Sequence, residues 1–355
     1  MVNAENMAEQ ILIIIVAGIG DVVLASKAIR ALRLGYPNSK LHLLTSSEAA
    51  LLAQNCPYLN QVYPFPIREF RSDMKAFPKI VGMVLKLRQE FFDVVLNLYR
   101  VSSPTGALKM GMLFSLLRTV QKIGHDHHGF GRFLDVSLTA STFEGRHVVD
   151  AMQEIALKAG GIPDDRGIEV YWNPEAETKW RSFFGSIAGK IVIGINPGGD
   201  RANRRWAPDR FAAVAARLVK RFDAQIVLLG GSGDRDIASS IIHAIPSGIS
   251  NLSGTIPLEE LPYVISRLDL MVTNDSGPMH IAAATKTPLV ALFGPEDPRL
   301  FGPYTTPDLY RIVMKDVPCR PCGDKKCRKP ICLEGIHPDE VLDACLDMLQ
   351  HHCHR

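Results

Sequence analysis

The sequence predicts an α/β protein made of two doubly wound parallel-sheet domains facing each other across a cleft. Three observations lead there. The chain has 355 residues, about two average domains in length. Its strand-like runs are apolar throughout rather than alternating, as expected of strands covered on both faces. Those runs also take turns with helical patterns, so the strands lie parallel with helices crossing between them.

The elements follow in order. "ILIIIVAG" reads as a buried strand leading into "DVVLASKAIRALRLGYP", a helix with Val22, Ala25, Ile29 and Leu32 on one side. "KLHLLT" is a second strand, "FFDVVLNLY" a later one and "TVQKIG" another. "HVVDAMQEIALKAGG" is a helix stopped by glycine. The stretch "GIPDDRGIEVYWNPEAE", rich in Pro, Gly and acids, marks the boundary. Residues 1–170 form the first domain, 171–189 a linker and 190–337 the second domain; a last helix in 338–355 is expected to pack back on the first. In the second domain "KIVIGINPGG" is a strand, and "PDRFAAVAARLVKRF" is a helix with Phe211, Val214, Ala215, Leu218 and Phe222 at helical spacing. "QIVLLGG", "DLMVTND" and "PLVALFG" are further strands, "ISNLSG" is a short one, and helices lie between them.

Hydrophobic residues make up 46% of the chain and charged residues 22%, ordinary for a soluble globular protein. The net charge of +3 does not favour a nucleic-acid partner. "MVNAENMAEQ" has no Lys or Arg before the apolar run, and that run is too short to span a bilayer, so a cytoplasmic protein is expected. Seven cysteines are present, an odd count that fits reduced thiols.

Open parallel sheets bind ligands where their strands end, and the chain's polar residues collect there. In "AGIGDVV", Gly18 and Gly20 begin like a dinucleotide fingerprint, but Val23 stands where the third glycine belongs and "HLLTSS" offers no acid for a ribose. A dehydrogenase is therefore disfavoured. What remains is Asp21 at a helix start, either a cap or a carboxylate placed as a general base. "NPGGDRANRRW" puts Gly198, Arg201, Arg204 and Arg205 in one loop, a solvated basic loop or a grip for a diphosphate. In "TNDSGPMH", Ser276 and Gly277 leave N–H groups at a helix start, where the dipole favours an anion, and Asp275 and His280 flank it. "DRD" opens a helix, so Asp234 reads mainly as a cap and secondarily as a ligand contact. Cys319, Cys322, Cys327 and Cys332 have a C-x2-C-x4-C-x4-C spacing that suits either a structural metal or free thiols.

Taken together, "NPGG", "RRWAPDRF", "LLGGSGDRD", "NLSGTIPLEEL", "VTNDSGPMHIAAA" and "VALFGPEDP" resemble glycosyltransferase family 9, the lipopolysaccharide heptosyltransferases. The opening strand, Gly-Asp turn and helix resemble the family's start. The resemblance implies a GT-B fold of two Rossmann-like domains, the acceptor on the first and the nucleotide-sugar donor on the second. It implies an inverting transfer of heptose from ADP-heptose to the Kdo or heptose of the inner core, with no cofactor required. Asp21 matches the general base. Asp275, Ser276, Gly277 and His280 match the donor segment, and Arg204 falls where the family usually has a phosphate-binding Lys. The acceptor would be an anionic lipid-linked saccharide, met with peripheral contact on the cytoplasmic face of the inner membrane. "KMGMLFSLLRTVQK", with Lys109, Arg118 and Lys122 around an apolar centre, is either a candidate grip for that acceptor at the membrane surface or a packed helix with charged ends. The rival readings are a transferase of the same fold using another nucleotide sugar, and a binding module without catalysis.

Overall fold

The computed structural model describes residues 8–352 apart from 68, 70–72, 140–143, 246, 323, 325 and 326; the expectations for the first seven residues and for Cys353 fall outside that range. The chain divides into two compact units, Met1–Tyr171 and Trp172–Arg355.

The first unit runs β1 (Gln10–Ile15), α1 (Ile19–Leu24), α2 (Ser26–Gly35), β2 (Lys40–Ser46), α3 (Ser47–Ala53), β3 (Gln61–Phe65), α4 (Phe77–Gln89), β4 (Phe91–Asn97), α5 (Pro104–Leu116), β5 (Arg118–Asp126), β6 (Val136–Thr139) and α6 (Val148–Lys158). Its strands are all parallel, in the order β3-β2-β1-β4-β5-β6. Ile11 to Ile15 of β1 are fully buried on both faces, so the run needs no polar alternation. One face of the sheet is covered by α4 and α5 through Leu87, Phe114 and Leu117. The expected single helix after β1 bends at Ala25, whose N–H still bonds the Asp21 carbonyl at 3.0 Å.

The end of this unit is tied down by one buried cation. The Arg30 side chain, inaccessible to solvent, donates from Nε and Nη2 to Asp164 at 2.8 and 2.7 Å and pairs through Nη1 with Glu169 at 3.0 Å. Nη2 also donates to the carbonyls of Arg166 and Gly167. The guanidinium's planar fork holds four residues of an otherwise irregular strap against α2. Those hydrogen bonds and neighbouring carboxylates outweigh burial and raise the Arg30 pKa.

The second unit runs α7 (Glu175–Ser186), β7 (Val192–Asn196), α8 (Pro208–Phe222), β8 (Gln225–Leu228), α9 (Arg235–Ile242), β9 (Ile249–Asn251), α10 (Leu261–Ser266), β10 (Leu270–Asn274), α11 (Gly277–Ala284), β11 (Leu289–Phe293), α12 (Pro298–Phe301), β12 (Tyr310–Met314), α13 (Ile331–Glu334) and α14 (Pro338–His352). Its sheet order, β12-β11-β10-β7-β8-β9, is the first unit's order read from the opposite edge. In each unit the first strand lies beside the fourth, and ligand crevices open between such neighbours.

The last helix differs from expectation. Val341, Cys345, Met348 and Leu349 of α14 are buried in the second unit's own core with Phe211, Leu218 and Leu292, and α14 packs on α8, β11 and β12. The physical reason is the helix's apolar stripe at 341, 345, 348 and 349, which completes the layer over that sheet.

Candidate active site

In the second unit, polar side chains gather where β7, β10 and β11 end. Asn274, fully buried at the last position of β10, donates to the carbonyls of Pro197 at 2.8 Å and Gly198 at 3.1 Å. Its Oδ1 accepts the Trp206 N–H at 3.0 Å. One amide thus fastens both ends of the loop that carries the arginines. Trp206 anchors that loop in the core, 1% exposed, edge-on to Phe211, with Nε1 donating to the Ile336 carbonyl at 3.1 Å. Asn196, ending β7, donates to Thr273 Oγ1 and Ser276 Oγ, both at 3.2 Å.

The three arginines separate into different roles. Arg205 folds back and donates to the Gly199 carbonyl, so it shapes the loop. Arg204 donates to Glu296 and pairs with Asp275 at 3.3 Å, and Arg201 reaches Glu296 at 3.3 Å. Arg204 Nε is buried without a hydrogen-bond partner among the described residues. A buried donor of that kind is costly unless a ligand meets it. Glu296 is the member that sequence reasoning missed; its signal was the acid in "FGPEDP", directly after a buried strand. Its backbone is buttressed by the cysteine segment: Arg320 donates to the Gly294 and Glu296 carbonyls at 2.7 and 3.2 Å, and the Cys322 N–H to Pro295 at 3.1 Å.

Asp275 is 4% exposed. Burial, aided by Glu296 and opposed by Arg204 and Arg201, pushes its carboxyl up to about 6. Ser276 heads α11 in extended conformation, but its hydroxyl donates to the Asn274 carbonyl at 3.2 Å and no side chain caps the helix. Pro278 carries no N–H and the Met279 N–H bonds the Ser276 carbonyl at 3.1 Å, so the Gly277 N–H is the donor this electropositive helix start offers to an anion. His280 lies buried in the next turn.

Gly198 is required sterically. A Cβ there would come within 2.4 Å of the Asp234 carboxylate. Asp234 itself accepts the Gly231 N–H at 2.9 Å, which is capping geometry. Gly199 adopts φ +152, a backbone state that side chains rarely take.

The cysteines do not assemble as a metal set. Among the described residues no group of three or more His, Cys, Asp or Glu is arranged to hold a metal ion. Cys332 is buried in the core of this unit, and Cys319 and Cys322 are exposed. Cys332 nonetheless lies within electrostatic reach of Cys319 and Cys322; burial first, and then these two, raise its thiol pKa.

In the first unit Asp21 lies in the first turn of α1, and its Oδ2 accepts the Gly18 N–H at 3.0 Å. Ser46 Oγ donates to the Ala17 carbonyl at 2.7 Å and Thr45 Oγ1 to that of Ile15 at 2.7 Å, so the end of β2 fixes this turn. The expected acceptor cations are not here. Arg118 is the first residue of β5 and so lies at the amino edge of the sheet, opposite the turn that carries Asp21. Lys109 is on the exposed outer side of α5. The stretch is the end of α5 and the start of β5, the strand expected at "TVQKIG", because Leu117 leaves helical geometry with ψ 145.

The cation at the carboxyl edge is instead Arg100, in the turn after β4, with the histidines of "HDHHG" beside it. Arg100 Nη2 lies 2.7 Å from His127 Nε2, and the His127 and His128 rings are 4.1 Å apart. His125 is 5% exposed, and burial, with Arg100 and His127 adding, lowers it to about 3, so it is neutral. Burial first, then Arg100 and His128, lower His127 as well. Asp126 shapes the loop by accepting the Gly131 N–H at 2.9 Å. A run of three histidines in four residues was the signal available.

Tandem parallel sheets of one strand order, the second with an arginine-lined crevice at its carboxyl edge, are the plan of the GT-B fold. The family profile described as Glycosyltransferase family 9 (heptosyltransferase) matches residues 82–332. The chain belongs to that family and is a transferase. It is 25% identical to Lipopolysaccharide heptosyltransferase 3 of Escherichia coli, over 92% of this chain and 95% of that protein. It is also 25% identical to Lipooligosaccharide heptosyltransferase 2 of Haemophilus influenzae, over 96% and 99%. Among solved structures, a family 9 glycosyltransferase from Veillonella parvula matches with TM-score 0.79 at 21% identity, covering 96% of this chain and 97% of that one. The E. coli heptosyltransferase WaaC with ADP matches with TM-score 0.74 at 16% identity, covering 96% and 99%.

Proposed function

We propose that this protein transfers heptose from ADP-heptose to the inner core of lipopolysaccharide, with inversion at the anomeric carbon and without a metal ion. The observation that carries the donor side is Arg204, with a buried unpartnered Nε beside the uncapped start of α11. Relatives named as heptosyltransferases, and the likeness to a fold solved with ADP, support the choice of donor.

Asp21 takes the proton of the acceptor hydroxyl as that oxygen attacks the anomeric carbon. The bond from that carbon to the diphosphate breaks and ADP leaves with both electrons. Arg204 and the Gly277 N–H at the start of α11 meet the charge that grows on the leaving oxygen. Fixed cations and dipoles then do what a divalent metal does elsewhere. The acceptor's carboxylates or phosphates are held by Arg100, which His127 positions by accepting its N–H.

A donor screen tests this reading. Purified protein is offered ADP-heptose, UDP-hexoses and GDP-hexoses with a Kdo-terminated and a heptosylated lipid acceptor side by side. Turnover with ADP-heptose alone is expected; preference for another nucleotide sugar contradicts the proposal.

Asp275 adds a pH signature. A carboxyl raised to about 6, against about 3.9 unfolded, binds more protons folded than unfolded between those values. Its contribution therefore favours the native state as pH falls from about 7 to 4 and is lost as pH rises through 6. A diphosphate placed beside it raises the carboxyl further, so binding takes up protons. An ADP-sugar, whose diphosphate diester does not titrate in this range, is expected to bind more tightly at pH 6 than at pH 8. Calorimetry in two buffers of different ionisation enthalpy reads the uptake, which should vanish in Asp275→Asn. Equal uptake in that variant removes the assignment.

A further inference from the structure

We infer that the outer face of α4 and α5 is a docking surface for an anionic lipid bilayer. A helix apolar all round is ordinarily buried. The α5 sequence, "PTGALKMGMLFSL", is apolar almost all round, yet only Phe114 is fully buried, against the sheet. Its other side exposes Leu108 at 65%, Met112 at 52% and Leu116 at 41%. These residues are four apart and form one stripe. The neighbouring helix α4 repeats the pattern, with Phe77 at 54%, Val81 at 38% and Leu85 at 54%. The two helices cover the same sheet face and touch each other, so the stripes belong to one side of one unit. Water leaves such a surface readily when another apolar phase is offered.

Charge selects the occupant. The sequence from Met74 to Gln89 contains no Asp or Glu, and neither does that from Val94 to His125. Lys79, Lys86 and Arg88 on α4 and Lys109 on α5 are exposed around the stripes. A protein partner needs no such exclusion of acids over two helices. An anionic membrane does, since each cation near its surface adds attraction and each acid subtracts. Apolar stripes flanked by bases are the composition of helices that lie in the interface plane. Among the described residues no helix is long and apolar enough to cross a membrane, so the contact is peripheral. This inference concerns a surface outside the proposed donor and acceptor sites and does not depend on the donor's identity.

Sedimentation with vesicles, without any substrate, tests it. The full-length protein is expected to sediment with phosphatidylglycerol-containing vesicles and not with pure phosphatidylcholine vesicles, and to be released by added salt. Two variants separate the contributions. Leu108→Glu/Met112→Glu removes the apolar stripe, and Lys79→Glu/Arg88→Glu reverses two charges. Each should weaken vesicle binding by about tenfold or more while turnover on a short-chain acceptor stays unchanged. Circular dichroism melting confirms that both fold. Absent vesicle binding by the wild type, or binding that both variants retain, overturns the inference. A wild-type dimer that either variant converts to monomer also overturns it, because a second copy would then be the occupant.

Discussion

Asp21→Asn is expected to lower heptosyl transfer by about 10²–10⁴-fold while leaving ADP affinity within about twofold. The substitution separates the two roles that this side chain can have. Asp21 Oδ2 accepts the Gly18 N–H at 3.0 Å, and the Asn side-chain oxygen accepts the same bond, so the turn and α1 persist. The variant does remove the negative charge and the ability to take a proton. ADP binds through the second unit's crevice in this account, and its affinity does not register the change. Rapid-quench measurement of sugar transfer, with ADP affinity read by calorimetry on the same preparation, checks both halves. Wild-type turnover in the variant returns Asp21 to a cap and nothing more.

The second large effect belongs to Arg204. Removing a donor that meets developing charge on a leaving group costs about 10²–10³ in rate, and Arg204→Ala is expected to lose that much in kcat/KM. The variant also leaves Asp275 and Glu296, 3% and 14% exposed in their side chains, without their main cation. Repulsion between those carboxylates and the diphosphate adds to the loss. Arg204→Ala/Glu296→Gln relieves part of the repulsion and should recover ADP affinity without recovering kcat. Arg204→Lys keeps the charge but cannot hold Glu296 and Asp275 through two separate nitrogens, so an intermediate rate is expected. Unchanged kinetics in Arg204→Ala would remove this residue from the donor site.

The fold was legible wherever an apolar strand was closed by a glycine-rich turn. β1, β7, β8, β10 and β11 are such cases, since burial on both faces forces an uninterrupted apolar run and the ligand edge forces the turn. β3, "QVYPF", was not visible, because an edge strand tolerates Pro and a half-polar face. β6 and β12, also edge strands, hide for the same reason. The placement of Arg118 failed for another cause: the apolar run 110–117 supports helix and strand equally, and only Leu117's backbone decides where one ends.

The donor crevice was legible as residue types after strands, yet its pairing was not. "TNDSGPMH" announces an anion site at a helix start. Nothing in that string says that Asn274 fastens the arginine loop, because its partners lie about 70 residues away in sequence. Glu296 was missed similarly. Nor does the spacing of the cysteine segment say that Arg320 and Cys322 support the loop of Glu296.

A crystal structure of the protein with ADP decides whether the second unit holds the donor. The diphosphate is expected within about 3 Å of the Arg204 guanidinium and of the first N–H of α11, at the ends of β7 and β10. A diphosphate held in the first unit, or beyond β8 with Arg204 still closed on Glu296 and Asp275, would contradict that expectation.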